Sequence, residues 1–257
     1  MTASMQQRRQ TILAHAYQDG FVEVTKLSRN LNVSEATIRR DLHSLAQEGH
    51  LQLNHGGATV VRGSDHSFIS KSTRNIEAKR LVGRLAAELV EDGDQIFLDS
   101  GTTCFEMIAS LRSKQGLSVI VNSIRTAQEL YTPGVKVLLL GGQYRPDRLD
   151  TVGPMASASL DCLRGYKAFL GSDGIGMEFG PTAIDIDSAS LFGLAVAHAK
   201  ETVILVDQSK FDSPALYRIV KWDSVNTVVT DGRPDDAWMD FFTNEGIKVV
   251  TPPDATE

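Results

Sequence analysis

Five short apolar runs in this chain each lead into residues that could hold a small anion. Ile96-Phe97-Leu98 leads into Asp99-Ser100-Gly101-Thr102-Thr103, LSVIV (117–121) into Asn122-Ser123 and VKVLLL (135–140) into Gly141-Gly142. KAFLG (167–171) leads into Ser172-Asp173-Gly174, and TVILVD (202–207) into Gln208-Ser209-Lys210. Gly101 permits a tight turn and close backbone approach. Amides opening the next helix can donate to an anion, which the helix dipole also favours. Thr102 and Thr103 add hydroxyl donors. Lys210 offers a mobile cation to a phosphate, and Asp99 and Asp207 can accept from sugar hydroxyls. Any one of these places has the makeup of an ordinary capping loop or turn. Their recurrence at five strand ends points to a small anionic ligand, most simply a phosphorylated sugar. In open α/β sheets ligands bind beyond the carboxyl ends of the strands, and Asn122-Ser123 and Gly141-Gly142 share the cleft of Asp99–Thr103 if their strands are neighbours.

A second chemistry sits near the N-terminus, in SEATIRRDLHSLAQEG (34–49). Ser34 is placed to cap a helix that Gly49 ends. Ile38, Leu42 and Leu45 fall on one face of it. Glu35, Thr37, Arg39, Arg40, His43, Ser44 and Gln47 are left outside, with Thr37, Arg40 and Ser44 along one stripe. Arginine is suited to bidentate contact with guanine O6 and N7 and to phosphate, so this helix is expected to enter the major groove of double-stranded DNA.

The elements around it fit that expectation. Met5, Ile12, Leu13 and Ala16 recur at helical spacing and Asp19-Gly20 breaks the helix. Phe21–Val24 is a short β-like step. Thr25 can cap a second helix with Leu27 and Leu31 inward, and Asn32-Val33 makes a tight turn. HLQLNHGGATVV (50–61) alternates apolar and polar residues and turns at Gly56-Gly57, a hairpin pattern. Three short helices and a hairpin make a winged helix-turn-helix over residues 1–62. Residues 63–80 are polar and read as a linker that enters a helix near Asn75. From residue 81 to 257, apolar strands alternate with helices, the pattern of a mostly parallel α/β sheet. Strands are expected at 96–99, 117–121, 135–140, 167–171, 202–207, 224–231 and 247–250, with a helix over 188–200.

The totals narrow the class further. The 257 residues carry 26 Lys+Arg against 32 Asp+Glu, a net charge of −6. Residues 1–80 hold 11 basic and 7 acidic residues, a net of +4, so the remainder is −10. A basic head on an acidic body suits a polyanion partner for the head alone. The only cysteines, Cys104 and Cys162, lack metal-ligand spacing and suit a reducing compartment. The N-terminus is polar and basic without an apolar signal core, and no apolar run is long enough to span a bilayer. A cytoplasmic protein without membrane contact, metal or cofactor is expected. There is no GxSxG elbow, no GxGxxG and no P-loop. Asp173-Gly174 is not followed by a second acid, so a paired-carboxylate site is not apparent there.

Taken in order, VSEATIRRDL (33–42), HGGA (55–58), DSGTT (99–103), NS (122–123), LGG (140–142), FLGSDGI (169–175), DQSKF (207–211) and TDG (230–232) resemble the motifs of the DeoR family of bacterial transcription regulators. The resemblance implies a winged helix-turn-helix joined to a Rossmann-like domain similar to ribose-5-phosphate isomerase and CoA transferases. It implies a regulator, usually a repressor, of sugar or polyol catabolism, tuned by a phosphorylated intermediate. It also implies a homo-oligomer, dimer or tetramer, reading paired half-sites of operator DNA. Carried over by residue, Thr37, Arg39 and Arg40 fall to DNA, and Asp99, Thr102, Thr103, Asn122, Gly142 and Lys210 to the effector. By their own types and places, Ser34, Ser44 and the wing's His55 join the first set, and Ser100, Gly101, Ser123, Gly141 and Asp207 the second. The chain departs from the family pattern at Leu53, where an arginine is usual, which argues against a phosphate contact from the wing stem. It departs again at Val121 and at Asp185-Ile186, where Thr and Asn-Glu are usual, which points to a different effector if that region touches the ligand. The competing expectation is a sugar-phosphate isomerase-like enzyme with an accessory DNA-binding domain.

Overall fold

The computed structural model describes residues 5–47, 50–60 and 68–253. The chain separates into two compact units, Met1–Ile76 and Glu77–Glu257. The first contains α1 (Met5–Asp19), β1 (Phe21–Glu23), α2 (Val24–Leu31), α3 (Glu35–Gln47), β2 (Leu51–Asn54), β3 (Gly57–Val60) and α4 (Phe68–Thr73). Ile12, Leu13 and Ala16 of α1 meet Leu27 of α2, Ile38, Leu42 and Leu45 of α3, and Leu51 and Ala58 of the hairpin in one core. Each buried leucine or isoleucine among them contributes about 1.5–3 kcal/mol, which is what makes three short helices stable together. Met5, grouped with that face by its spacing, is 58% exposed; it opens α1, beyond the reach of the core.

Two local details differ from the sequence reading. Thr25 lies inside α2, with Glu23 at the N-cap position. The helix starts early because Val24 leaves β1 with its amide bonded to Gly56 O at 2.9 Å, and the Thr25 hydroxyl then bonds the Glu23 carboxylate. The wing turns at His55-Gly56, not Gly56-Gly57. Gly57 opens β3 opposite Glu23 of β1, where a Cβ would stand 2.0 Å from Val22 O. Only glycine lets the third strand close on the hairpin. The sheet order is β1-β3-β2. Gly49, expected to end α3, lies outside the described residues. Of the stretch read as a linker, Phe68–Thr73 form α4, which packs on α1, and residues 63–67 lie outside the description.

The second unit opens with α5 (Ile76–Glu88) and continues β4 (Gln95–Leu98), α6 (Thr102–Phe105), α7 (Ile108–Leu111), β5 (Leu117–Val121), α8 (Ile124–Glu129) and β6 (Val135–Leu139). A hairpin, β7 (Gln143–Arg145) and β8 (Asp150–Val152), precedes α9 (Pro154–Asp161) and β9 (Lys167–Gly171). Then follow β10 (Gly174–Gly176), β11 (Gly180–Ala183), α10 (Ile186–His198), β12 (Glu201–Leu205), β13 (Tyr217–Arg218), β14 (Thr227–Val229), α11 (Asp236–Asn244) and β15 (Lys248–Val250). Seven of these strands form one parallel sheet in the order β15-β14-β12-β9-β4-β5-β6. Alternate residues feed two cores. Phe97, Ile120, Leu170, Ile204 and Val228 face α9, α10 and α11. Ile96, Val119, Phe169, Val203 and Val229 face α5, α6 and α7. Both faces of the five inner strands are covered, so these read as apolar runs, whereas the edge strand β6 leaves Leu138 and Leu139 exposed. The chain runs outward from β4 through β5 to β6, then returns to β9 on the other side of β4. The strand ends of β4 and β9 therefore form the switch point where ligands of open α/β sheets bind. No described helix is long and apolar enough to cross a membrane.

Candidate functional site

In the first unit α3 carries the expected cap. Ser34 Oγ accepts from Thr37 N at 3.2 Å and lies 2.9 Å from Thr37 Oγ1. Arg39 pairs with Glu35 one turn back at 2.8 Å, both being exposed. Arg40 is exposed and has no ion-pair or hydrogen-bond partner among the described residues. Ser44 is half-buried on the same stripe, and His55 is exposed at the wing tip. Asp41 behaves differently from the two arginines before it. It is 3% exposed and turns inward, accepting from Arg8 Nε at 2.6 Å and Arg8 Nη2 at 3.3 Å, with Arg9 Nε at 3.5 Å. The bond to Asp41 raises the Arg8 pKa despite partial desolvation. Thus Asp41 pins α3 to α1 and leaves the arginine face outward.

In the second unit β5 pairs with β4 and β6 with β5, so Asn122-Ser123 stand beside Asp99–Thr103 and Gly141-Gly142 lie one strand further out. Asp99 and Asn122 sit level, one residue beyond the paired Leu98 and Val121. Asp99 is 1% exposed and accepts from Gly101 N at 2.5 Å and Gly171 N at 2.6 Å, tying the loop of β4 to β9. Burial raises its pKa, against the lowering by those two amides. A Cβ on residue 101 would stand 2.8 Å from Asp99 Oδ1, which accounts for Gly101. The helix that follows, α6, is a single turn of four residues, so its dipole is small and local donors matter more. The hydroxyls of Thr102 and Thr103 have no hydrogen-bond partner among the described residues, and their amides open α6 without intrahelical partners.

The hairpin β7–β8 lies across the ends of β5 and β6. Thr151 N donates to Asn122 O at 2.8 Å, and Thr151 Oγ1 donates to Leu140 O at 2.6 Å. Asn122 is wholly buried; its Nδ2 donates to Thr151 O at 3.0 Å, and its Oδ1 has no partner among the described residues. Ser123 Oγ caps α8 by accepting from Thr126 N at 3.1 Å. A Cβ at Gly142 would meet Val152 O at 2.6 Å, so that glycine makes room for β8, whereas Gly141 is exposed with open space around it.

A charged cluster that motif reading missed fastens this hairpin. Asp150, 0% exposed, accepts from Arg145 Nε and Nη2 at 2.7 Å each and from Ser100 Oγ at 3.0 Å. Arg145 Nη1 also donates to Asp185 at 2.8 Å, and Nη2 to Ser188 Oγ at 3.0 Å. Arg148 bonds the other Asp185 oxygen. Asp185 caps α10 by accepting from Ser188 N at 2.9 Å. Burial opposes both charges, yet the Ser188 amide, Arg148 and Arg145 hold Asp185 well below the usual carboxylate range. Likewise burial is outweighed at Arg145, whose pKa is raised by Asp150 and Asp185. The signal was present in the sequence as the charge-dense RPDRLD (145–150) between two small-residue turns.

On the other side of the switch point, Asp207 is buried and caps a 3-10 turn, Gln208–Lys210, by accepting from Ser209 N at 3.0 Å. Gln208 N donates to Asp231 at 2.8 Å. Phe211 packs edge-on against Trp238 at 5.0 Å between ring centroids. The turn is thus held at both ends and presents Lys210, half-buried, with no ion-pair partner among the described residues. Asp173 Oδ2 accepts from Ile184 N at 2.9 Å.

A winged helix with an outward arginine face, carried on the same chain as a parallel α/β sheet with polar strand ends, defines a two-part transcriptional regulator. The model of the DeoR-like helix-turn-helix domain matches residues 8–63, and that of the DeoR C terminal sensor domain matches residues 74–232. The chain belongs to the DeoR family of transcriptional regulators. It is similar to the lactose phosphotransferase system repressor of Staphylococcus epidermidis, with 34% identity over 218 residues, 82% of this chain and 86% of that one. It is similar to the HTH-type transcriptional regulator GlpR of Haloferax volcanii, with 31% identity over 229 residues, 88% and 90% of the two chains. It is also similar to the uncharacterized HTH-type transcriptional regulator FruR of Bacillus subtilis, with 30% identity covering 96% of this chain and 98% of that one. Among solved structures, ribose 5 phosphate isomerase A from Neisseria gonorrhoeae aligns with 52% of this chain and 53% of its own at 16% identity and a TM-score of 0.39.

Proposed function

We propose that this regulator represses a sugar or polyol catabolic operon, binding operator DNA as a homo-oligomer, and that a phosphorylated sugar or polyol at the sheet's strand ends controls it. The observation that supports the reading best is the division of exposed and unspent groups. On the first unit Arg40 is exposed with no ion-pair or hydrogen-bond partner among the described residues, and His55 is exposed at the wing tip. Among the described residues of the second unit, Lys210 beyond β12 has no ion-pair partner and the hydroxyls of Thr102 and Thr103 beyond β4 have no hydrogen-bond partner. Arg40 reads a base edge, and Arg39, released from Glu35, contacts phosphate. At the other end Lys210 and Thr102–Thr103 hold the effector's phosphate. Operator release follows from differential affinity of the effector for two arrangements of the protein. The relatives named for a lactose phosphotransferase system fit this reading.

The test is selection of a preferred site from random duplex DNA, then titration of that site with the wild type and with Arg40→Ala. A loss of about 1–3 kcal/mol in affinity, with relaxed preference at one base pair, is expected. Equal affinity and equal preference in the variant would remove α3 as the reading element.

A further inference from the structure

The wall between β4, β5 and the β7–β8 hairpin has spent its donors and kept its acceptors. A carboxylate only accepts, so the bond between Ser100 Oγ and Asp150 Oδ2 at 3.0 Å uses the serine's proton. Ser100 is left with lone pairs. The Asn122 amide orientation is fixed by the Thr151 carbonyl, which needs the N–H that Nδ2 supplies at 3.0 Å. That places Oδ1 as a wholly buried acceptor with no donor. The Gly101 and Gly171 amides, the other donors at this point, are both given to Asp99. An unmatched buried acceptor is costly, and a phosphate dianion, which only accepts, would meet the lone pairs of Ser100 Oγ and Asn122 Oδ1, while the guanidinium groups of Arg145 and Arg148 are already engaged by Asp150 and Asp185. A hydroxyl group donates a proton and carries no charge, and it fits.

We propose that Ser100 and Asn122 form a hydroxyl-reading subsite, with Asp150 as the positioning residue that fixes Ser100 as an acceptor. The effector's hydroxyl-bearing end then lies over β4–β5 and its anionic end toward Thr102–Thr103 and Lys210. This rests on the sugar-phosphate reading above and adds the ligand's orientation to it. Arg145 and Arg148, gripped by Asp150 and Asp185 on two different elements, keep the hairpin and its carboxylate in place. Because Asn122 is wholly enclosed, a ligand group that reaches it must part the loops around it. That movement is a differential contact of the kind a switch requires.

The test uses the full-length protein and calorimetric titration with pentose, hexose and polyol phosphates, their unphosphorylated parents and, for any phosphate that binds, its monodeoxy analogues. One monodeoxy analogue is expected to bind about 10- to 100-fold more weakly than the parent phosphate. Ser100→Ala removes one donor to Asp150 and keeps the Arg145 bonds to Asp150 and Asp185. It should shrink that oxy-to-deoxy ratio at least fivefold while the phosphate-to-parent ratio stays within twofold. Asp150→Asn, which can donate to Ser100 and free its proton, should shrink the same ratio; a merely structural role would weaken both ratios together. Monodeoxy analogues that all bind within twofold would show that an enclosed water satisfies Asn122, and would overturn the subsite alone. Loss of the phosphate-to-parent ratio in Ser100→Ala would put the anion at Ser100 and also overturn it. Absence of binding by every phosphate would remove the effector reading and this subsite with it.

Discussion

Replacing Asp41 with alanine separates the holding of helix α3 from its use. In the native unit Asp41 is 3% exposed and takes two bonds from Arg8, at 2.6 and 3.3 Å, with Arg9 at 3.5 Å. The arginine end is nearer solvent, at 12% side-chain exposure against 5% for the aspartate. A fully buried pair broken on one side costs about 3–5 kcal/mol, and charge-assisted bonds near the surface are worth less. For Asp41→Ala we expect about 1–3 kcal/mol. The Arg39–Glu35 pair, exposed on both sides and one turn apart, sets the contrast, since pairs of that kind contribute a few tenths of a kcal/mol. The assay is hydrogen exchange of the amides of α3 in the full-length protein. A loss of that size lowers protection roughly 5- to 150-fold, while Arg39→Ala and Arg40→Ala leave it near the wild-type value. The DNA titration should rank the variants the other way for any fraction that remains folded. If Asp41→Ala changed exchange no more than Arg39→Ala does, the Arg8–Asp41 clamp would be a screened surface pair and the account of how α3 is held would fail.

Other expectations follow from the same geometry. Cys104 is 0% exposed, and burial raises its thiol pKa well above the usual value, whereas Cys162 is exposed. A thiol reagent at about pH 8 should modify Cys162 alone in the native protein and both cysteines in denaturant; labelling of Cys104 in the native state would contradict the packing of α6. Asp185 has a lowered pKa in the folded state, so its charge contributes stability above the ordinary carboxylate range, and that contribution is lost as pH falls through and below about 4. Asp185→Asn keeps a capping side chain, so its deficit in urea unfolding should be largest near neutral pH and should narrow in acid; a deficit that is constant with pH would mean the Arg145–Arg148 contacts carry no charge effect. Gly57→Ala forces a Cβ to within 2.0 Å of Val22 O. It should destabilise the wing by about 1–3 kcal/mol or more, read as faster exchange of the β1 and β3 amides, and an unchanged rate would refute the close approach.

The parts legible in the sequence were those that repeat a period or a cap. Ile38, Leu42 and Leu45 fall at helical spacing and are buried, and Ser34 caps α3 as its type and place suggest. The inner parallel strands announced themselves as apolar runs because both faces of each are covered. What escaped was set by contacts distant in sequence. Asp41 looks like the third charge of a solvated RRD run, yet its partner lies 33 residues away in α1. Arg145 and Asp185 are 40 residues apart, and nothing local marks them as a pair. The short strands β7, β8, β10, β11 and β13, two to four residues each, are too brief to show alternation. Gly142 reads as a phosphate-loop glycine in sequence, but the Val152 carbonyl 2.6 Å from its missing Cβ is reason enough for it.

The account's central claim is that a phosphorylated sugar or polyol at the strand ends of the second unit controls DNA binding by the first. The most direct measurement is the affinity of the full-length protein for its selected DNA site, at fixed salt because that affinity depends steeply on ionic strength, with and without each phosphate of the panel and its unphosphorylated parent. The account predicts that one phosphate changes the affinity, that its parent does not, and that Lys210→Ala abolishes the change while leaving ligand-free DNA affinity as it was. DNA affinity indifferent to every phosphate, or equally responsive to phosphate and parent, would contradict it.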